Sequence, residues 1–371
     1  MKSPSLYSML LVLFFLSLRA FCNDAAGEYG VGFNLALDYG TASIWYANGT
    51  AVDVVKLEGG VAYKQIIRSA SAEPYLSAAP AESSRGSLGF MSLQNYLPSW
   101  AATETVSHDV EVIRWMLKGL KGATEAYVEE PLTAVRISSS FYVPYHGWLR
   151  NTLSESVESL GLRYLGTGRV SADIIQIYGL EDQCRYDGFT TPDQREPDDP
   201  PQMYLAIDSS MAGLSVALVE EECGIAESLR EFHNTTLGSG IDFSGKREDL
   251  IRQLKHLIRP IDRWYPDIGD YKQSVEISAL VLLGDYTEDV LLHEGLLEVF
   301  GSSYNNLKNE SDKRARLHDP SFAGSRAAAM TCQGRLEYEL TWEWDEQFHW
   351  WAPKKNQSAN LKWWWPFERS S

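Results

Sequence analysis

Two segments of this 371-residue chain repeat one pattern: an apolar run, an aspartate, a turn of small residues and a second apolar run. The first copy places Asp38 after residues 30–37, which are mostly apolar, and the second places Asp208 after residues 203–207. Short apolar runs bounded by turn residues are typical of buried strands, so each copy predicts a strand–turn–strand unit. Two such copies 170 residues apart indicate a duplicated fold.

The remaining pattern alternates strands with helices. Further strands are predicted at residues 43–46, 52–57, 132–137, 214–220 and 279–283. Helices are predicted at residues 108–127, 149–160, 171–178, 247–258 and 287–300, the last with Thr287 as its N-cap. Residues 69–87 are rich in Ala, Ser and Pro and predict a loop. This order of elements predicts an α/β protein with mixed sheets flanked by helices.

The chain divides into five predicted segments. These are a signal peptide (1–22), a first lobe (23–185), a Pro-rich linker (186–202), a second lobe with a shortened outer subdomain (203–335) and a Trp-rich C-terminal tail (336–371). Seven tryptophans fall between positions 342 and 365. Aromatic rings at that density suit a membrane interface, a sugar, a partner protein or the domain's own surface.

The N-terminus has the features of a secretory leader. Lys2 supplies the positive end, residues 6–18 are mostly apolar, and Ala20 and Cys22 are the small residues of a cleavage site. An apolar stretch this short suits a cleaved leader better than a spanning helix, and no later segment is long enough to span. We therefore expect a secreted or secretory-lumen protein with no transmembrane span in the mature chain, and anchoring by an uncleaved leader is the alternative.

Four Asn-x-Ser/Thr sequons support the secretory route. The asparagines are Asn48, Asn234, Asn309 and Asn356. Such sequons are N-glycosylation acceptors in proteins that enter the secretory pathway. The sequence therefore predicts a glycoprotein.

The cysteines allow at most one internal disulfide. Cleavage after Cys22 leaves Cys184, Cys223 and Cys332, so one thiol stays unpaired. Cys184 and Cys223 are the favoured pair because they lie closest in sequence, although spacing alone leaves the connectivity open. The apolar core, rather than a disulfide framework, is expected to hold the fold together.

Composition excludes two classes of function. A formal net charge of −17 repels phosphate backbones, so nucleic acid is not an expected partner. The seven histidines include no H-E-x-x-H motif or paired spacing, so a catalytic metal site is not predicted either.

Seven segments, in sequence order, carry a family resemblance. They include VGFNLALDYGTASIWYANG (31–49), MYLAIDSSMAGLSVALVE (203–220) and ALVLLGDYTEDVLLHEGLLEVFG (279–301), and the others cover residues 113–143, 160–180, 236–243 and 320–330. Together they resemble the nucleotide-binding half of the DnaK-type (heat-shock protein 70) chaperones, in the actin-like ATPase superfamily. The three quoted segments are similar to that family's first phosphate loop, second phosphate loop and adenosine-side strand.

The resemblance implies a two-lobed actin-like ATPase fold (duplicated ribonuclease-H-like) that holds ATP and Mg²⁺ between the lobes. Backbone N–H groups of glycine turns would cradle the phosphates, and two opposed aspartates would position the metal. The matching positions are Asp38, Gly40, Thr41, Asp208, Gly213, Gly238 and Gly284. An alternative alignment places Asn34 at the first aspartate position, where an amide brings no charge to Mg²⁺.

Several positions depart from the family pattern. Residues 209–211, Ser-Ser-Met, replace the glycines that follow Asp208, and Met211 adds bulk where phosphate oxygens would approach. Residues 169–171, Arg-Val-Ser, replace the glutamate and proline of the crossing segment, and Asp285 replaces the second glycine of the adenosine turn. No lysine is identified for the phosphate-facing position. These replacements predict that efficient hydrolysis is lost.

The resulting hypothesis is a secreted pseudo-ATPase that acts as a binding or structural module for a protein partner that the sequence does not identify. A slow Mg-dependent ATPase using Asp38 and Asp208 is the enzymatic alternative. A carbohydrate or cell-envelope contact through the Trp-rich tail is the third. Only 41 residues follow Met330, too few for the family's peptide-binding domain, so foldase activity is not expected.

Overall fold

The computed structural model describes residues 28–71, 107–141, 143, 147–180, 201–222, 225–241, 245–265, 269–315 and 319–348. Residues 28–333 form one compact unit, and residues 1–27 and 334–371 are grouped in a second. The predicted leader, residues 186–200 of the linker, Cys184, Cys223, Asn356 and the tail beyond Phe348 lie outside the described residues. None of the described helices combines the length and apolar character that a membrane crossing requires.

The first sheet has five strands and mixes parallel with antiparallel pairing. Its strands are β1 (Tyr29–Leu35), β2 (Tyr39–Tyr46), β3 (Ala51–Glu58), β4 (Ala134–Ser139) and β5 (Arg163–Arg169). Their order across the sheet is β3-β2-β1-β4-β5. The first three strands form an antiparallel meander, and β4 and β5 continue the sheet parallel to β1.

The second sheet repeats this arrangement with one strand fewer. Its strands are β6 (Gln202–Ser209), β7 (Leu214–Glu222), β8 (Ile225–Asn234) and β11 (Ala279–Leu283), and β9 (Ile261–Tyr265) and β10 (Gly269–Gln273) form a separate hairpin. The order is β11-β6-β7-β8, with β6, β7 and β8 antiparallel and β11 parallel to β6. The repeated sequence pattern therefore corresponds to a repeated sheet topology.

Eight helices accompany the two sheets in the described part of the chain. They are α1 (Val61–Ser71), α2 (His108–Val128), α3 (Trp148–Glu158), α4 (Val170–Ile177), α5 (Lys246–Leu257), α6 (Val290–Phe300), α7 (Tyr304–Ala315) and α8 (Ala323–Phe348). Short 3-10 turns at Gly301–Ser303 and Pro320–Phe322 precede α7 and α8. Helix α8 runs across residue 335, the predicted boundary between the second lobe and the tail.

One face of each sheet is covered by helices that lie close to it in sequence. Helices α1, α2 and α3 contribute Ile67, Ile113 and Leu153 to the apolar cluster on the first sheet. Helices α5, α6 and α7 form the equivalent cluster on the second sheet, in which Leu254 and Leu296 are fully buried. Strand side chains alternate between faces, so every second residue of β1 and β6 enters these cores.

The other face of each sheet is covered by a helix that follows the other sheet in sequence, and we call these two helices the exchanged helices. Helix α4 follows the first sheet in sequence but packs on the second, where Ile174 and Val219 belong to one buried cluster. Helix α8 follows the second sheet but packs on the first, against β1. A Cβ on Gly32 of β1 would lie 2.1 Å from the carbonyl oxygen of Ser325, so only glycine permits this approach. Each half therefore completes the core of the other.

The α/β class with mixed sheets flanked by helices is confirmed. Elements α7, β8, β9 and β10 were not predicted, and three further details of the prediction were wrong. Residues 69–71 belong to α1 rather than to a loop, because Tyr63, Ile66, Ile67 and Ala70 form a buried helical stripe. Helix α6 is capped by Asp289, whose side chain accepts the N–H of Leu292, rather than by Thr287. Strand β5 was missed because its sequence, RYLGTGR, contains two glycines and is only partly buried.

Gly32→Ala tests the close approach of α8. We expect a loss of about 1–3 kcal/mol or more in the free energy of unfolding, because the added methyl group overlaps helix backbone that cannot rotate away. Gly60→Ala is the matched control, since a Cβ there meets nothing within 4 Å. Urea unfolding followed by circular dichroism measures both, and equal stability of the two variants would contradict the exchanged packing.

Candidate functional site

The turns of the two repeated hairpins form the centre of the site. The last paired residues are Leu35 with Gly40 in the first hairpin and Ser209 with Leu214 in the second. Matching these pairs makes Asn34 the counterpart of Asp208, as in the alternative alignment. Asp38 lies in the first turn, between β1 and β2. The two aspartates that the sequence singled out therefore occupy different positions in their hairpins.

Asp208 reaches from the second sheet toward the first. The hydroxyl of Ser140, which follows β4, donates a hydrogen bond to Asp208 Oδ2. Asp208 Oδ1 is buried and has no hydrogen-bond partner among the described residues. Burial raises the pKa of Asp208 to about 6, the nearby Asp38 carboxylate adds to this rise, and the Ser140 hydrogen bond opposes it. Asp208 is thus a buried acid that titrates near neutral pH.

Asp38 is also buried without full compensation. Its backbone oxygen accepts the N–H of Gly59 at 2.7 Å, and Tyr63 of α1 donates to the neighbouring carbonyl of Ala36 at 2.9 Å. These bonds fix the turn, but Asp38 Oδ1 lacks a hydrogen-bond partner among the described residues. Burial raises the pKa of Asp38, and the Glu58 carboxylate raises it further.

An ion pair joins the edge of the first sheet to the turn that follows β11. Lys56 of β3 contacts the Asp285 carboxylate, and its Nζ lies 4.3 Å from the centroid of the Tyr39 ring. The sequence offered no signal for Lys56, which lies 229 positions from its partner. The Asp285 carboxylate is thus paired with a cation of the same chain.

In the turn of the second hairpin, backbone N–H groups donate their hydrogen bonds within the turn itself. The N–H groups of Ala212 and Gly213 donate to the Ser210 hydroxyl oxygen at 3.1 and 3.2 Å. The N–H of Ser210 donates in turn to the carbonyl of Gly213 at 3.0 Å. These are the groups that a phosphate-binding turn would direct at its ligand. The Ser210 hydroxyl therefore occupies two N–H donors that a phosphate bound at this turn would need.

The candidate glycines of the second half pack against protein backbone. A Cβ on Gly238 would lie 2.3 Å from the carbonyl oxygen of Met211, and one on Gly284 would lie 2.3 Å from that of Ser209. Gly284 also has a φ of +85°, which favours glycine on its own. A Cβ on Gly213 would meet the Leu37 side chain at 2.6 Å. All three glycines are explained by contacts within the chain.

Gly40 and Thr41 lie within β2 rather than at a turn. A Cβ on Gly40 would meet Met116 Sδ of α2 at 2.9 Å, on the side of the first core. Thr41 is fully buried and its hydroxyl donates to Ser325 Oγ of α8 at 3.0 Å. Ser43 Oγ lies 2.7 Å from the same oxygen. These polar groups bind the exchanged helix α8.

The cavity beside Asp208 is small. Its volume is about 10 Å³, and Ser140, Ser171 and Ser215 contribute to its wall. That volume suits about one water molecule and is far below that of a nucleotide. Ser215 Oγ also lies 2.9 Å from His233 Nδ1, which extends the polar lining. Among the described residues no group of three His, Cys, Asp or Glu side chains is arranged to hold a metal ion.

The predicted modification sites differ in their surroundings. Asn48 is exposed at the β2–β3 turn, where its Oδ1 accepts the Thr50 hydroxyl at 2.7 Å, and Asn309 is exposed on α7. Asn234 is half-buried, and its Nδ2 donates to Asp249 at 3.0 Å. Cys332 is a buried free cysteine on α8, and burial raises the pKa of its thiol to about 11.

The chain matches no protein-family model and no curated protein.

Asp208→Asn tests the burial of the carboxylate. The folded-state pKa of about 6 exceeds the ordinary value of 3.8, so this group favours folding when protonated and loses that contribution as the pH rises through 6. Asparagine keeps an acceptor for Ser140 without the charge. We expect the free energy of unfolding of the variant to exceed that of the parent by about 3 kcal/mol at pH near 7.5, with most of the difference lost near pH 4.

Urea unfolding at both pH values measures the effect, and the exposed Asp262→Asn is the control. A variant that is less stable than the parent near neutral pH would show that the Asp208 charge is compensated.

Proposed function

We propose that this chain is a secreted, degenerate relative of the chaperone-type actin-like ATPases that acts as a nucleotide-independent binding or structural module. The proposal combines the sequence resemblance with the geometry of the two hairpins. Under this proposal the chain has the fold of that superfamily but does not hydrolyse ATP.

The repeated topology supports the scaffold assignment. Both sheets place an antiparallel meander beside a strand parallel to the first strand of the meander. Helices α4 and α8 are exchanged between the sheets, as a duplicated, pseudo-symmetric molecule requires. A ribonuclease-H-like unit present twice, with the second copy lacking its fifth strand, accounts for this order. The short interval between Asp208 and Gly284 agrees with a trimmed outer subdomain.

The single observation that carries the inactive assignment is the second turn. Ser210 accepts the N–H groups of Ala212 and Gly213, so a phosphate would have to break both hydrogen bonds before forming its own. Breaking internal hydrogen bonds offsets the gain from new ones, and each net hydrogen bond is worth only about 1 kcal/mol. Two buried carboxylates, Asp38 and Asp208, add repulsion toward a triphosphate.

One observation favours the enzymatic alternative. Asp38 Oδ1 and Asp208 Oδ1 are both buried without a hydrogen-bond partner among the described residues, and such oxygens are suitable acceptors for metal-bound water. A slow Mg-dependent ATPase would use this pair. A carbohydrate or cell-envelope contact through the Trp-rich tail stays a prediction.

Isothermal titration calorimetry with Mg-ATP distinguishes the nucleotide-independent module from the slow ATPase. We expect no binding heat at millimolar nucleotide, because the donors of the second turn are engaged and the carboxylates repel the phosphates. Parallel titrations with Mg²⁺ alone and with Asp208→Ala show whether any signal depends on the site. Micromolar affinity that Asp208→Ala abolishes, and that the exposed Asp262→Ala leaves intact, would replace our proposal with the enzymatic one.

The secretory part of the proposal rests on the leader-like N-terminus and on Asn48. We expect protein secreted from eukaryotic cells to lose mass on treatment with peptide N-glycosidase, and Asn48→Gln to remove one glycan, because that asparagine is exposed at a turn. Mass spectrometry measures both changes. Retention of the full-length, unglycosylated chain inside the cell would contradict secretion.

A further inference from the structure

Asp285 adds a third carboxylate beside the two buried aspartates described above. It lies in the turn that follows β11, and this turn packs on the end of β6, because the N–H of Tyr286 donates to the Ser209 carbonyl at 3.2 Å. A Cβ built on Gly284 would lie only 2.5 Å from Asp208 Oδ1. The turn therefore lies against the Asp208 oxygen that has no hydrogen-bond partner among the described residues.

The first half contributes Asp38 and the buried ring of Tyr39 to the same region. Tyr39 is 1% exposed, and its pKa is raised well above the ordinary value by burial and then by carboxylates that include those of Asp208, Asp285 and Asp38. The three carboxylates therefore lie near one another around this ring. Like charges that are close together and poorly hydrated repel each other, so this arrangement requires a compensating cation.

Lys56 of β3 supplies a cation to Asp38, Asp208 and Asp285, which we call the acidic cluster. Its ammonium contacts the Asp285 carboxylate, and Nζ lies 4.3 Å from the centroid of the Tyr39 ring. The ion pair is partly buried, since the two side chains are 32% and 25% exposed. Lys56 thus places its charge against the ring that the carboxylates surround.

A second lysine near the cluster has a different partner. Lys64 of α1 contacts the Glu58 carboxylate, so its ion pair stays within the first half. Burial and the Glu58 carboxylate raise the pKa of Asp38, and the ammonium groups of Lys64 and Lys56 oppose that rise. Lys56 acts on Asp38 of the first half and also pairs with a carboxylate of the second half. It is therefore the lysine that compensates charge from both halves.

The family that the sequence resembles holds Mg²⁺ at its opposed aspartates, and the residues present here do not fit that ion. An ammonium is a compact positive charge with three N–H donors, so it can compensate carboxylates as a metal ion does. A divalent ion bound at the acidic cluster would meet the like charge of Lys56 in a partly buried region, where salt screens the repulsion poorly. The ammonium and a divalent ion therefore exclude each other.

We propose that Lys56 is the built-in counter-ion of the acidic cluster and takes the place of a divalent cation. The parent chain then has no divalent-cation site at the hairpin turns, and removal of the Lys56 charge lets such an ion bind there. Ca²⁺ suits this role because it accepts irregular sets of carboxylate and water oxygens. The inference rests on the proposed nucleotide-independent function and deepens it, since phosphoryl-transfer sites use ATP together with Mg²⁺.

The test compares Lys56→Met, which removes the charge but keeps an unbranched side chain, with Lys56→Arg, which keeps the charge. Thermal unfolding of the full chain is measured in a chelator and in about 5 mM Ca²⁺ or Mn²⁺, without nucleotide. Both ions should raise the Tm of Lys56→Met by about 2 °C or more, and they should leave the parent and Lys56→Arg unchanged. Adding Asp208→Asn to Lys56→Met should remove the response.

Lys272→Met is the matched control. Lys272 forms an exposed ion pair with Asp262 at 3.8 Å on the separate β9–β10 hairpin, and its substitution changes the net charge by the same amount. This variant should not respond to either ion. Electron paramagnetic resonance of Mn²⁺ should detect an additional bound ion on Lys56→Met and none on Lys272→Met, and circular dichroism confirms that each variant is folded.

Three outcomes would overturn the inference. An equal response of the parent would show that a metal ion and Lys56 coexist, and an equal response of Lys272→Met would assign the effect to net charge. No response of Lys56→Met would leave Lys56 and Asp285 as a structural ion pair only. Because these measurements contain no nucleotide, each outcome refutes the role of Lys56 without implying ATP binding, whereas Mg-ATP binding in the calorimetric titration would refute the proposed function.

Discussion

The contact of α8 with β1 is the constraint on which the rest of the structure depends. Gly30 and Gly32 expose bare backbone, and a Cβ on Gly30 would lie 2.2 Å from the backbone nitrogen of Gln333. Ala328 and Ala329 face them, so the helix backbone approaches the sheet without intervening side chains. Helix α4 covers the second sheet in the reciprocal way. Since each half lacks one apolar cover without the other, residues 28–333 fold as a single compact unit.

This exchanged packing brings polar groups of the two halves together where both hairpins turn. Asp208 meets Ser140 there, and Lys56 meets Asp285. Desolvation is the dominant cost for the buried carboxylates, because Asp208 gains only one side-chain hydrogen bond in return. At the second turn the Ser210 hydroxyl offsets the desolvation of two backbone N–H groups, because it accepts a hydrogen bond from each of them. Most polar groups described in this region are therefore hydrogen-bonded or paired within the chain. The exceptions are Asp38 and Asp208, each of which has one carboxylate oxygen without a hydrogen-bond partner among the described residues.

Much of the fold follows from local pattern. Strands β1, β2, β6, β7 and β11 were predicted because they are short apolar runs bounded by turn residues, and α2 and α5 because their apolar residues recur at helical spacing. Strand β5 and helix α7 were not, since β5 contains two glycines and α7 has a weak apolar face. For the site, Asp208 was expected in the turn that follows residues 203–207 but lies within β6, and Gly40 and Thr41 likewise lie inside β2.

By itself the sequence determined the α/β class, the repeated strand–turn–strand unit and the absence of glycine from residues 209–211. These depend on period, turn chemistry and residue size, which act over a few neighbouring positions. Only the tertiary structure decided that Asn34 is the counterpart of Asp208, and that Lys56 pairs with Asp285 across 229 positions. Strand register and long-range ion pairs are set by how the helices and sheets pack, and no local pattern encodes that packing.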